Sequence, residues 1–114
     1  MGMKGSKVGT MTPDEAIGIT TKQYLFVHRI STGELGTILG VSRSSASRKL
    51  HGLVSWSVTE LLMLATYFDV SVDDLMPTPD GLGGWLPAPY RPARGDRAPE
   101  LVPQVGLEPT TDGL

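Results

Sequence analysis

Residues 31–52 decide the fold, and they read STGELGTILGVSRSSASRKLHG. Ser31 and Glu34 have the spacing of a capping box, in which the serine hydroxyl accepts the Glu34 amide and the carboxylate reaches back to the serine amide. A short helix with apolar residues at intervals of three and four is predicted to follow. It is expected to end at Gly40, because glycine adopts the left-handed conformation that closes a helix.

The second helix of this stretch has a narrow apolar stripe. It is predicted to run from Arg43 to about His51 with Ser42 as its N-cap, and Ala46 and Leu50 are its only apolar residues. Such a helix packs on one side and presents its polar side to something else. Two short helices joined by about three residues, with glycine in the joint, are the signature of a helix-turn-helix motif.

The first helix is expected over residues 21–29, ahead of the motif. Thr12 and Pro13 also form a helix start, with the threonine as N-cap and the proline in the first turn. However, Gly18 and the β-branched residues 19–21 weaken a helix that begins there. The later start is therefore the better-supported prediction.

A strongly apolar helix is predicted behind the motif. Ser57 and Glu60 repeat the capping-box pattern, and a last short helix is expected from Val72 to Met76, stopped by Pro77. The residues assigned to the core of this region are Trp56, Leu61, Leu62, Leu64, Ala65 and Phe68. The sequence thus predicts an all-α fold, a compact domain of four to five helices.

Proline is unevenly distributed, since eight of the nine prolines lie at or after Pro77. We predict a flexible arm over residues 1–12, a helix-turn-helix domain over 13–77 with the motif at about 32–51, and a disordered or partner-docking tail over 78–114. No regular element is expected after Asp80. The apolar residues of the tail are suited to dock on the helical domain or on a second subunit, and they are Trp85, Leu86 and Tyr90.

The composition excludes several classes of function. The chain has no cysteine, so it cannot form a disulfide, a thiolate zinc site or a cysteine nucleophile. It has no nucleophile beside a base, no metal-ligand spacing and no phosphate-binding loop, so we expect no enzyme activity, metal or cofactor. No small-molecule ligand is evident, and no apolar run suggests a membrane span or signal peptide. A cytoplasmic protein is expected.

Charge is more informative in its distribution than in its total, which is −2. Residues 20–56 contain five basic residues and one acid, Glu34, a local balance of +4. Basic residues concentrated in one region are compatible with nucleic-acid binding, although an ordinary solvated helix face has the same composition.

Residues 34–48, ELGTILGVSRSSASR, resemble the lambda-repressor-like (Xre/Cro-type) helix-turn-helix family. The apolar pattern from Trp56 to Leu75 is similar to the later helices of that family, so the resemblance covers about residues 20–77. The variant with RKLHG at 48–52 is most like regulators of actinobacteria and their phages. The chain departs from the family at Lys49, where an apolar residue is usual, and at Gly36, where alanine is usual.

The resemblance implies a role for each matching residue. The contacts to base edges would come from Arg43, Ser44, Ser45 and Arg48. The contacts to the DNA backbone would come from Thr32, Gly33, Ser42, Ser47, Lys49 and His51. Arginine suits guanine because it can donate to both O6 and N7, and the amides at a helix start suit a phosphate. For His51, a cap at the helix end is the alternative.

The function that the resemblance implies is transcriptional regulation in a bacterial cell. The expected partner is a double-stranded DNA operator, bound in the nucleoid by a phage- or prophage-type repressor or Cro-like protein. Such proteins commonly bind as dimers to two half-sites, and the sequence leaves a homodimer or a monomer open. Two alternatives remain, an antitoxin-type or other protein-binding module with the same fold and a phage excision or architectural DNA-binding factor.

Overall fold

A computed structural model describes residues 10–96 of the protein. The helices are α1 (Pro13–His28), α2 (Thr32–Leu39), α3 (Arg43–Leu50) and α4 (Val58–Phe68). They are followed by a 3-10 helix (Val72–Leu75), strands β1 (Thr78–Pro79) and β2 (Trp85–Leu86), and a second 3-10 helix (Arg94–Asp96). The two strands pair antiparallel. The predicted all-α fold with four to five helices is confirmed.

Side-chain caps define the helix starts. Ser31 and Ser57 each accept the amide of the glutamate three residues later, and each glutamate accepts the serine amide in return. Ser42 accepts the amide of Ser45 at 3.1 Å and begins α3. These caps satisfy donors that have no partner within the helix. The three predicted caps are confirmed, so the boundaries of the motif follow from local sequence.

The first helix is longer than predicted. α1 is continuous from Pro13 to His28 and begins at a Thr12 capping box, so the later start near residue 21 is wrong. Gly18 lies against the Leu50 carbonyl of α3, so close that a Cβ would overlap that oxygen. Thr21 is buried and donates its hydroxyl to the Ile17 carbonyl at 2.8 Å. Packing at these positions outweighs their low helix propensity.

The core is formed by the inward faces of all four helices and the first 3-10 helix. Its largest fully buried apolar side chains include Tyr24 of α1, Leu35 of α2 and Leu64 of α4. Trp56 is buried, as predicted. Leu62, which is predicted to lie in the core, is 53% exposed, because its direction on α4 falls outside the buried stripe of Leu61, Leu64 and Phe68.

Residues 78–96 fold back onto α1. The Thr20 hydroxyl donates to the Ala88 carbonyl at 2.8 Å, and the Tyr90 amide donates to Oε1 of Gln23 at 2.9 Å. The Tyr90 ring lies 4.8 Å from the ring of Tyr24. The expectation of no regular element after Asp80 is therefore wrong, since β2 forms there. The division into arm, domain and tail stays a prediction, and its parts at 1–9 and 97–114 lie outside the described residues.

Candidate nucleic-acid interface

Two glycines build the joint between α2 and α3. Gly40 adopts the left-handed conformation with φ 73° and ends α2, while the Val41 amide donates to the Gly36 carbonyl at 2.8 Å. A Cβ on Gly36 would lie only 2.7 Å from the Val41 carbonyl oxygen. The predicted role of Gly40 as the end of α2 is confirmed. The backbone of α2 therefore lies directly against the chain that enters α3, and this contact fixes the angle between the two helices.

The outer face of α3 carries most of the residues expected to contact DNA. Arg43, Ser44 and Arg48 are exposed, and Ser45 and Ser47 are half-buried. α3, which is described in full, contains no acidic residue. This face therefore presents hydrogen-bond donors and positive charge without a competing carboxylate on the same helix.

Ser42, the N-cap of α3, forms hydrogen bonds with Ser45. The exposed Ser42 hydroxyl accepts the Ser45 amide and donates to the Ser45 hydroxyl, both at 3.1 Å. The Ser45 hydroxyl accepts this bond, so its own proton can still serve an acceptor outside the protein. Ser42 thus holds the first turn of the helix.

The start of α2 lies beside the start of α3. A Cβ on Gly33 would be 3.9 Å from Cδ of Arg43. Thr32 and Gly33 are half-buried in the first turn of α2, where backbone amides have no partner within the helix. The structure therefore brings together the predicted phosphate-binding amides and the first predicted base-reading side chain.

His51 follows the last residue of α3 and is exposed. Its Nδ1 lies 2.8 Å from the Ser47 carbonyl oxygen, so the imidazole caps the end of the helix. This contact is the alternative that the sequence left open for His51. A contact between the histidine and DNA stays a prediction.

Lys49 does not join this surface. Its side chain is only 9% exposed, and Nζ lies 3.0 Å from Oε1 of Glu60 on α4. Nζ also donates to the Ser55 carbonyl at 2.8 Å and lies 6.0 Å from the centre of the Trp56 ring. The geometry therefore does not support the expected contact between Lys49 and the DNA backbone, because the ammonium group is already bound on the inner side of α3.

Glu60 completes the attachment of α3 to α4. Burial by itself raises the pKa of this carboxyl, but hydrogen bonds from the Ser57 amide and Lys49, together with the lysine charge, outweigh that effect. The pKa of Glu60 consequently lies below its ordinary value of 4.5. The carboxylate is therefore ionised at neutral pH and pairs with the lysine.

Asp14 is a residue of this region that sequence reasoning missed. Its carboxylate accepts the Ser55 hydroxyl and the Trp56 amide, both at 3.1 Å. The Trp56 indole N–H donates to the Lys49 carbonyl at 3.1 Å and so holds the end of α3. Local sequence gives no signal for this arrangement, since Asp14 and Trp56 are 42 residues apart.

Within residues 10–96, no three His, Cys, Asp or Glu side chains are grouped so that they could hold a metal ion. In the same part of the chain, no helix has both the length and the hydropathy needed to cross a membrane.

The comparison with known families identifies one domain. The BetR domain matches residues 18–94, which is more than half of the chain. No curated protein and no solved structure is detectably similar. The helix-turn-helix DNA-binding class that the sequence predicts is confirmed, whereas the narrower lambda-repressor-like affiliation stays a prediction. The chain belongs to the BetR domain family, a family of helix-turn-helix-type DNA-binding domains.

Proposed function

We propose that the protein is a sequence-specific transcriptional regulator, a phage- or prophage-type repressor or Cro-like protein, that inserts α3 into the major groove of an operator. The observation that supports this most is the division of α3 into two faces. Its inner face carries Ala46, Lys49 and Leu50, and its outer face carries exposed arginine and serine side chains. We call α3 the recognition helix from here on.

The proposed reading of bases depends on the two arginines. Arg43 and Arg48 lie about 1.4 turns apart on the recognition helix, so their guanidinium groups can address separate base pairs. Ser44 and Ser45 add hydroxyl groups, which discriminate less because a hydroxyl both donates and accepts. We therefore assign most of the sequence preference to the arginines.

The proposed contacts to the DNA backbone flank these side chains. The amides of Thr32 and Gly33 favour a phosphate because the start of a helix carries partial positive charge. Ser42, Ser47 and His51 are the further candidates, and Lys49 is omitted because it is bound to Glu60. In this arrangement the protein acts in the nucleoid of a bacterial host.

The test is the effect of Arg43→Ala on sequence preference. An operator is first selected with the wild-type full chain from a random duplex library. Affinities for that operator and for random duplex are then measured by fluorescence anisotropy. Loss of a bidentate arginine–guanine contact is expected to weaken operator binding by roughly 1–3 kcal/mol and random duplex much less.

The matched control is Arg94→Ala. Arg94 is exposed, lies outside the proposed interface and is 3.8 Å from Asp69, so its loss removes one positive charge without touching α3. Its preference for the operator is expected to equal that of wild type. Equal losses on operator and random duplex for Arg43→Ala would refute base reading and favour an architectural factor instead.

A further inference from the structure

The outward face of α4 is apolar and uncharged. Leu62, Met63 and Tyr67 are 53%, 40% and 56% exposed, and Val58 at the start of the helix is 72% exposed. Within α4, all of which the structure describes, Glu60 is the only charged residue, and it is buried against Lys49. Solvent-facing helices normally carry charged residues on this side, so the face has the character of an interface.

This face forms one wall of a shallow groove between α2 and α4. The groove has a volume of about 510 Å³. Its lining residues are Ile38, Thr59, Leu62, Met63, Thr66 and Tyr67. Ile38 lies on α2, directly before the joint that leads into the recognition helix. A partner in this groove would therefore be placed in a fixed relation to the recognition helix.

We propose that the occupant of this α2–α4 groove is a second copy of the same chain, related by a two-fold axis. This inference rests on the proposed function, since it supplies the second recognition helix for a two-half-site operator. A two-fold interface places a surface against itself, so any charge near the axis meets its own copy. The α4 face avoids this repulsion because it carries no exposed charge, Glu60 being buried against Lys49.

The available area limits the strength that such a dimer can reach. The exposed side chains of the face amount to roughly 500 Å² per copy, or about 1,000 Å² for the pair, which is at the small end of specific interfaces. We therefore expect a weak dimer in free solution, with Kd between about 10 µM and 1 mM. Adjacent half-sites raise the effective concentration of the two copies, so the dimer forms on the operator.

The first experiment measures self-association of the full chain by sedimentation equilibrium from micromolar to millimolar concentration. Leu62→Glu places a charge in the groove and is expected to weaken dimerisation at least about ten-fold. Thr66→Lys is a second groove variant with the opposite charge. Leu82→Glu is the matched control, because Leu82 is 82% exposed in the loop between β1 and β2. Circular dichroism verifies that each variant is folded.

Wild type and Leu82→Glu are expected to dimerise alike, and both groove variants are expected to be weaker. A wild-type chain that stays monomeric at every concentration overturns the proposal. In that case the groove is covered by another protein or by another part of the chain. A wild-type dimer that neither groove variant weakens overturns it equally.

The second experiment separates this inference from the proposed function. Duplexes with one and with two half-sites, selected with wild type, are titrated with wild type and Leu62→Glu. The variant is expected to match wild type on one half-site and to lose cooperativity on two. If Leu62→Glu binds two half-sites as cooperatively as wild type does, the proposed dimer interface is contradicted. If wild type binds no selected duplex more tightly than random DNA, the proposed function fails. The dimer is then tested by sedimentation equilibrium alone.

Discussion

At the scale of single residues, Lys49 attaches α3 to the rest of the domain. Its Nζ binds Glu60 and the Ser55 carbonyl, while its backbone carbonyl accepts the Trp56 indole. The side chain therefore ties α3 to α4 and to the loop between them. A buried pair of this kind contributes modestly to stability when complete, and it is costly to break on one side only.

Lys49→Met is expected to lower the free energy of unfolding by about 2 kcal/mol, because it leaves a mostly buried Glu60 carboxylate without its cation. The double variant Lys49→Met/Glu60→Gln is expected to recover most of this loss, since glutamine can still complete the capping box. Urea denaturation measures both. If Lys49 instead bound a phosphate, Lys49→Met would lower the salt slope of DNA binding by about 0.9 and leave stability nearly unchanged.

The lowered pKa of Glu60 predicts an acid-sensitive contribution to stability. The folded state binds this proton less tightly than the unfolded state does, so the contribution is complete above pH 4.5 and is lost as pH falls through the folded-state pKa. The difference in free energy of unfolding between wild type and Glu60→Gln is expected to shrink on acidification through this range. Denaturation at a series of pH values measures it, and a difference independent of pH would contradict the prediction.

At the scale of secondary-structure elements, the two glycines of α2 differ in the space that their surroundings leave for a Cβ atom. A Cβ on Gly36 would meet the Val41 carbonyl at 2.7 Å, whereas a Cβ on Gly33 would meet only ordinary contacts at 3.8 Å and beyond. Alanine is favoured over glycine within a helix by about 1 kcal/mol. At Gly36 the contact with the backbone of Val41 and Ser42, in the joint before α3, opposes this preference, whereas at Gly33 no close contact opposes it.

Gly33→Ala and Gly36→Ala are therefore expected to change stability in opposite directions. Gly33→Ala should raise the free energy of unfolding by up to about 1 kcal/mol, and Gly36→Ala should lower it by roughly 1–3 kcal/mol through overpacking. Thermal and urea denaturation without DNA compare the two variants directly. A stabilised Gly36→Ala protein would show that α2 and α3 separate at little cost.

At the scale of the whole molecule, residues 78–96 extend the domain beyond its helices. Tyr90 packs against the rings of Tyr24 and His28, and the Arg91 amide donates to the Tyr24 hydroxyl at 3.1 Å. The Arg94 amide donates to the Asp69 carbonyl at 2.7 Å, directly after α4. The BetR match, which ends at residue 94, includes most of this segment. The segment thus covers the outer side of α1 and links it to the end of α4.

Tyr90→Ala is expected to lower the free energy of unfolding by about 2 kcal/mol, because it removes a half-buried ring and its contacts with Tyr24. Leu82→Ala is the control within the same segment, and a change below about 0.5 kcal/mol is expected for so exposed a side chain. Both are measured by urea denaturation of the full chain. Equal, small effects would indicate that residues 78–96 contribute little to the fold.

The sequence by itself determined the elements whose signals are local. The caps at Ser31, Ser42 and Ser57 and the stop at Gly40 depend on side chains within a few residues of the backbone groups that they satisfy. The helix-turn-helix motif and the polar outer face of α3 therefore follow from residues 31–52 alone.

Only the tertiary structure decided the features that depend on partners distant in sequence. α1 continues through Gly18 because α3 packs there, and Lys49 turns inward because Glu60 and the Ser55 carbonyl bind it. Leu62 belongs to an apolar sequence, but its direction on α4 exposes it. The local sequence is compatible with several environments for each of these residues. Burial, charge pairing and contact between helices decide which environment the residue adopts in the fold.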